Sequence, residues 1–187
     1  MKSLVFVTGN PYKFEVAKKA LEPTGIEITQ EKLETPEIQS TDVSEVASFS
    51  AKWAADKLGK PVVVSDSGYY IEALNGFPGP FIRYANEWLG VGDILRLMEG
   101  KSNRKVEIRI CLAYCEPKHE PVTFQTIAHG SIPEKEGEIT EGHMIDRLFI
   151  PEGYDKPSSE IPHEEMVKYW VNKEDYWKKL AEYLNKR

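Results

Sequence analysis

Residues suited to gripping a polyanion fall in three places along this 187-residue chain. The first is Thr8-Gly9-Asn10-x-x-Lys13, where the apolar run Leu4-Val5-Phe6-Val7 gives way to a helical pattern. A strand that stops at a glycine turn and feeds a helix brings unpaired backbone N–H groups and the positive end of the helix dipole to one point. Thr8 and Asn10 add side-chain donors, and Lys13, one turn in, supplies a point charge suited to phosphate. The stretch reads equally as a capped helix with a surface lysine, since Asn is a good N-cap. It is neither a P-loop nor a dinucleotide fingerprint. The other two places hold acids. Asp66 follows Val62-Val63-Val64, where the end of a buried strand holds a carboxylate rigidly and Ser67-Gly68 lets the backbone turn away. Glu37 lies in Pro36-Glu37-Ile38-Gln39, ahead of the second helix. Two carboxylates together with triphosphate oxygens suit Mg²⁺, a hard cation. Taken singly, each acid is equally a solvated surface charge.

Alternating elements must position these groups. Strands are expected over residues 3–7, 25–29, 62–64 and 69–73, then at 105–114 and 122–132 as a long hairpin, and at 148–151. Helices are expected over 12–21, 43–58, 93–98 and 164–184. The second helix carries Val46, Phe49, Trp53, Ala54 and Leu58 on its apolar side, and the chain breaks at Ser65-Asp66-Ser67-Gly68. The proline- and glycine-rich Asn75-Gly76-Phe77-Pro78-Gly79-Pro80 holds a defined loop. Tyr169, Trp170, Tyr176 and Trp177, at helical spacing, read as core or as a dimer surface. Strands of mixed type flanked by helices make an α/β protein, and 41% apolar residues over this length support one domain spanning 1–187.

Composition excludes other classes. A formal charge of -6 argues against a surface that tracks a nucleic-acid backbone, and no apolar stretch reaches the length of a membrane span. No secretory leader is evident, so a cytoplasmic location is expected. Cys111 and Cys115 are the only thiols; their spacing fits no zinc set, and they read as reduced and buried.

The motifs together resemble the inosine triphosphate pyrophosphatases, the Ham-type proteins that act on non-standard purine nucleoside triphosphates. The likeness rests on Thr8-Gly9-Asn10-x-x-Lys13 with Glu15, on Asp66-Ser67-Gly68 with Ala73-Leu74-Asn75-Gly76-Phe77-Pro78-Gly79, and on Phe149-Ile150-Pro151-Glu152-Gly153-Tyr154-Asp155-Lys156. It implies an elongated mixed sheet flanked by helices, two lobes around a cleft, and usually a homodimer. It also implies hydrolysis of a nucleoside triphosphate to monophosphate and pyrophosphate with Mg²⁺. Carried onto this chain, Thr8, Gly9, Asn10, Lys13, Ser67 and Gly68 hold the substrate, Glu37 and Asp66 hold the metal, and Asp66 with Lys13 does the catalytic work.

Three positions depart from the pattern. The acid that relatives place before the Asp is Ser65 here. Of the loop that stacks on the purine, Gly142 and Asp146 remain, with His143 either as a flat ring or as an exposed loop residue. The C-terminal Lys falls at Met166 and the Ser-His-Arg triplet near Trp170-Val171-Asn172. A polar pocket rejects a wrong base because its buried groups go unpaired, at about 1–3 kcal/mol each. Their replacement predicts a weakened preference for inosine or xanthosine, or one recreated by Arg147, Lys168 or Lys173. A catalytically weak nucleotide-binding relative is the alternative.

Overall fold

The computed structural model describes residues 3–139 and 143–186; Gly142 lies outside them. The apolar opening forms strand β1 (Ser3–Val7), and helix α1 (Pro11–Leu21) follows with Pro11 in its first turn. Proline suits that position because its missing N–H would be unpaired anyway. β2 (Glu27–Glu31) pairs parallel with β1 along its whole length. α2 (Val43–Leu58) then crosses over to β3 (Val62–Ile71), which pairs parallel with β1 on its other side. Asp42 caps α2 by accepting the Ser44 N–H at 2.8 Å, and Gly59, at φ 63°, ends it in the left-handed conformation that glycine adopts without strain.

β4 (Pro78–Gly79) pairs antiparallel with the far end of β3, and two short helices follow, α3 (Ile82–Trp88) and α4 (Val91–Leu97). β5 (Lys105–Cys115), β6 (Val122–Ser131), α5 (Met144–Leu148), β7 (Ile150–Pro151), α6 (His163–Lys173) and α7 (Tyr176–Asn185) complete the chain. The strand order is β2-β1-β3-β5-β6-β7, with β4 on β3. This is a mixed α/β fold with a central sheet and flanking helices. Its contacts group into two units, residues 1–66, 110–126 and 167–187 in the first and residues 67–109 and 127–166 in the second. Among the described residues no helix is long and apolar enough to cross a membrane.

In the first unit the core joins β1 to the C-terminal helix. Phe6 and Trp177, both essentially buried, meet edge to face with ring centroids 5.2 Å apart. α2 buries Val43, Ala47, Ser50, Ala51, Ala54 and Ala55, while Phe49 is 41% exposed and Trp53 is half-buried. The apolar side expected from residue size is therefore rotated, since the small residues let the helix backbone approach its neighbours. In the second unit the Tyr69 hydroxyl donates to the Leu148 carbonyl at 2.8 Å, and Gly68 lies against β4.

Several expected boundaries move: the strand expected over 25–29 is Glu27–Glu31 and that over 148–151 is Ile150–Pro151. The break expected at 65–68 is absent: β3 runs through it for ten residues. Serine and glycine permit a turn but do not force one, and the strand continues to its pairing with β4 at Tyr69 and Tyr70. The single helix expected over 164–184 is two, separated at Glu174 and Asp175. Helical spacing persists on both sides of that joint, so periodicity alone does not reveal it.

A side chain at residue 68 would start 2.7 Å from the Tyr70 ring and 3.0 Å from the Gly79 backbone. Gly68→Ala should lower the unfolding free energy by about 1–3 kcal/mol, seen as an earlier midpoint in urea. The two cysteines are free and buried, and burial first, then the charges of Asp66 and Asp42, push the Cys111 thiol up to about 12. Burial also raises Cys115. Because the thiolate is the reactive form, an aromatic disulfide reagent at about pH 8 should modify neither thiol of the folded protein and both in denaturant.

Candidate active site

The geometry of the site begins with a difference in strand length. β1 ends at Val7, in register with Val64, while β3 continues. Ser65 and Asp66 therefore come beside the loop that leaves β1. β1 also has β2 on one side and β3 on the other, so the chain reverses its direction of travel across the sheet at this point. In open α/β sheets ligands bind at the carboxyl ends of strands where that reversal occurs.

The loop is tightly held. The Thr8 N–H donates to the Glu31 carbonyl at 3.0 Å, the Gln30 side chain donates to the Thr8 carbonyl at 3.0 Å, and the Asn10 N–H donates to the Thr8 hydroxyl at 3.1 Å. The Asn10 side-chain oxygen accepts from the N–H groups of Tyr12 at 2.9 Å and Lys13 at 3.3 Å. The helix-cap reading is thus realised, and it leaves the amide NH₂ as the donor part of that side chain. At Gly9 no atom lies within 4 Å of where a Cβ would stand, so the chain's own packing does not demand glycine there. Half-buried Lys13 turns back across the gap, and its ammonium donates to the Ser65 carbonyl at 3.3 Å. The structure therefore brings together the Thr8–Lys13 loop and the strand position immediately before Asp66.

Of the two expected acids, Asp66 lies at this sheet end. Asp66 is half-buried on β3, and its charge and that of Asp42 both act on the Cys111 thiol of β5. Glu37 is exposed on the loop that runs from Glu31, where Thr8 is bonded, to Asp42. Asp42 was not anticipated from sequence, although its place before an apolar helical run is the signal of an N-cap. Among the described residues no group of three His, Cys, Asp or Glu side chains forms a ready metal cage. Carboxylate oxygens are the right donors for Mg²⁺, which often keeps waters and takes substrate phosphates as its remaining ligands.

A further acid enters from the joint after α6. The Glu174 carboxylate accepts the Trp177 indole N–H at 3.0 Å and the hydroxyl of Tyr176, and that hydroxyl in turn receives the Ser65 hydroxyl. Burial pushes the Glu174 carboxyl up, while these hydrogen bonds and the nearby Lys13 charge pull against it. Burial first, then the Glu174 charge, raises the Tyr176 phenol well above its ordinary value. Sequence spacing assigns Tyr176 and Trp177 to the core or to a dimer surface, and both lie in the core, but it gives no sign of Glu174.

Ser67, Gly68, His143, Asp146, Arg147 and Met166 belong to the second unit. Ser67 and Gly68 continue β3 beyond Asp66. His143 is exposed at the start of α5 and its carbonyl accepts the Asp146 N–H at 3.0 Å. Burial raises the Asp146 carboxyl, and His143 opposes that rise. Arg147 is ion-paired with Glu136, and Met166 is buried.

Comparison with known proteins follows this geometry. The sequence model of the Ham1 family matches residues 4–171. A dITP/XTP pyrophosphatase of Methanopyrus kandleri is 45% identical over 166 residues, 88% of this chain and 87% of that protein. One from Thermococcus kodakarensis is 40% identical over 162 residues, 87% of this chain and 86% of its own length. Among solved structures, a HAM1 protein from Coxiella burnetii superposes with a TM-score of 0.81 over 100% of both chains at 22% identity. The Staphylococcus aureus Ham1 protein gives 0.78 over 98% of each, also at 22% identity. With a matched stretch that holds the Thr8–Lys13 loop and the Asp66 strand alike, the chain belongs to the Ham1 family.

Proposed function

We propose that this protein is a nucleoside triphosphate pyrophosphatase, hydrolysing its substrate to the monophosphate and pyrophosphate. The observation that carries the reading is the Lys13 ammonium, held 3.3 Å from the Ser65 carbonyl at the reversal between β1 and β3, one residue from the Asp66 carboxylate. The names of relatives 40–45% identical over most of the chain support the same chemistry.

Thr8, the backbone at Gly9 and the Asn10 amide hold phosphate oxygens, and Lys13 offsets their charge. Asp66 accepts the proton of a water that attacks the α-phosphorus; the bond to the β-phosphate bridging oxygen breaks, and pyrophosphate leaves with that electron pair. Ser67 and Gly68 extend the strand that fixes Asp66. Glu37 and Asp66 would hold Mg²⁺, which would supply charge neutralisation for the phosphates. The family likeness assigns the nucleobase to His143 and Asp146. A homodimer in the cytoplasm completes the reading, and the exposed pair Tyr84 and Trp88 on α3 offers apolar surface for a second copy.

Base selection is expected to be relaxed. Met166 is buried and apolar, and Val171 replaces a polar reader, so the penalty for a wrong base falls by about 1–3 kcal/mol for each donor lost.

Purified protein with Mg²⁺ and a panel of nucleoside triphosphates tests these roles. Pyrophosphate and monophosphate should appear from dITP and XTP, with GTP and ATP cleaved less than about a hundredfold more slowly. Asp66→Asn should reduce turnover by about 10²- to 10⁴-fold. Release of orthophosphate instead of pyrophosphate, or turnover unchanged in Asp66→Asn, would sink the reading. Gly9→Ala separates binding from folding: it should leave the unfolding midpoint unchanged and raise KM, because the added methyl meets ligand and not protein. A fall in midpoint with KM intact would reassign Gly9 to packing.

A further inference from the structure

The proposed reaction leaves Glu174, a half-buried acid at the α6–α7 joint, without a role. Glu174 is fixed from both sides: its N–H closes on the Trp170 carbonyl at 2.7 Å, and its own carbonyl receives the Trp177 N–H at 3.2 Å. Its carboxylate takes the Trp177 indole N–H at 3.0 Å. A joint between helices needs no more than that backbone closure, and a neutral glutamine would accept the indole proton equally well. A poorly solvated carboxylate is costly unless it is hydrogen-bonded and faces positive charge. Here both conditions are met from one direction. The Tyr176 hydroxyl links Glu174 to the Ser65 hydroxyl, and the opposing positive charge is Lys13. Lys13 in turn touches the carbonyl of that same Ser65. A lysine ammonium rides on a flexible four-carbon stem, so its position is set by what surrounds it.

We propose that Glu174 is a positioning residue which, acting through Tyr176 and Ser65, holds the Lys13 ammonium at the open end of β3, where the triphosphate is bound. The inference rests on the pyrophosphatase reading for its consequence in turnover but not for its structural content. Glu174 does not touch the substrate. It confines the cation that does, and it keeps the Ser65–Asp66 segment registered against α7. Loss of the carboxylate should therefore disturb alignment in the transition state more than attraction in the ground state. Long-range attraction between ammonium and triphosphate survives a small displacement, whereas in-line chemistry does not.

Glu174→Gln, near-isosteric and able to keep the indole hydrogen bond, is the first test, assayed against dITP with Mg²⁺. We expect kcat to fall by about ten- to a hundredfold with KM changed less than about threefold. Glu174→Asp, which keeps the charge, should recover part of the loss. Tyr176→Phe should lower kcat in the same way, and the double variant should be no worse than the poorer single one. Equal kcat in Glu174→Gln and the parent protein overturns the proposal, as does a loss confined to KM or one that Glu174→Asp shares in full. A second measurement needs no turnover. Urea midpoints of Lys13→Met, Glu174→Gln and the double variant should fail to add, because the two side chains interact in the folded state. Strict additivity overturns the proposal even if the parent protein proves inactive, whereas inactivity with non-additive midpoints refutes only the pyrophosphatase reading.

Discussion

Everything in the candidate site depends on β1 being shorter than β3. Val7 is the last residue of β1 and stands opposite Val64, yet β3 runs on to Ile71. Beyond that point one edge of β3 has lost its neighbour until β4 takes it up at Tyr69 and Tyr70. A strand edge left open presents backbone groups that must find partners. Lys13 supplies one, by donating to the Ser65 carbonyl. The same gap that demands a donor thus fixes a cation beside Asp66. Lengthening β1 would close the gap and remove both the anion-facing loop and the reason for Lys13 to turn back.

A chain of formal charge -6 that grips a polyanion requires local charge to outweigh global charge. Distance decides this. Two unit charges about 4 Å apart interact by about 4 kcal/mol at an effective dielectric constant near 20, whereas exposed charges beyond about 8–10 Å are screened at physiological ionic strength. Most of the surplus acids lie on exposed elements and count for little at the β1–β3 reversal. Glu174 and Asp66 count for more, and the hydrogen bonds to Glu174 from Tyr176 and Trp177 spread its charge.

Much of this was legible in the sequence, for reasons that differ by residue. The Val-rich runs at β1 and the start of β3 are short, apolar and bounded by turn residues, so their strands follow from pattern. α2 is bounded by Asp42 and Gly59, a cap and a left-handed stop, and its limits are those expected. The Thr8–Lys13 turn announces an anion site or a helix cap, and the structure shows the cap, with the ammonium brought to Ser65. What was not legible depends on contacts distant in sequence. β3 runs on through Ser65–Gly68 to reach β4 at Tyr69 and Tyr70, and α6 breaks from α7 within an unbroken helical spacing. Glu174 is invisible to any local rule, since its meaning comes from a lysine 161 positions earlier, at residue 13.

The coupling of that distant acid to the opening loop is structural as well as electrostatic. Trp177, which donates to Glu174, packs edge to face on Phe6 of β1, one residue before the strand ends at Val7. α7 also buries Tyr176, Leu180, Ala181 and Leu184, so the joint that carries Glu174 is anchored through the core rather than hung on a surface loop. A well-packed interior transmits displacement instead of absorbing it. Phe6 and Trp177 therefore fix the distance between the strand end that delivers Lys13 and the helix joint that confines it. A charged pair held by long side chains alone would lose much of its benefit to side-chain entropy. Here the Lys13 charge acts on Glu174 without a direct ion pair, and the core restrains both ends, so the side chains have less freedom left to lose. α7 thus belongs to the candidate site as a structural member, although none of its residues need reach a ligand.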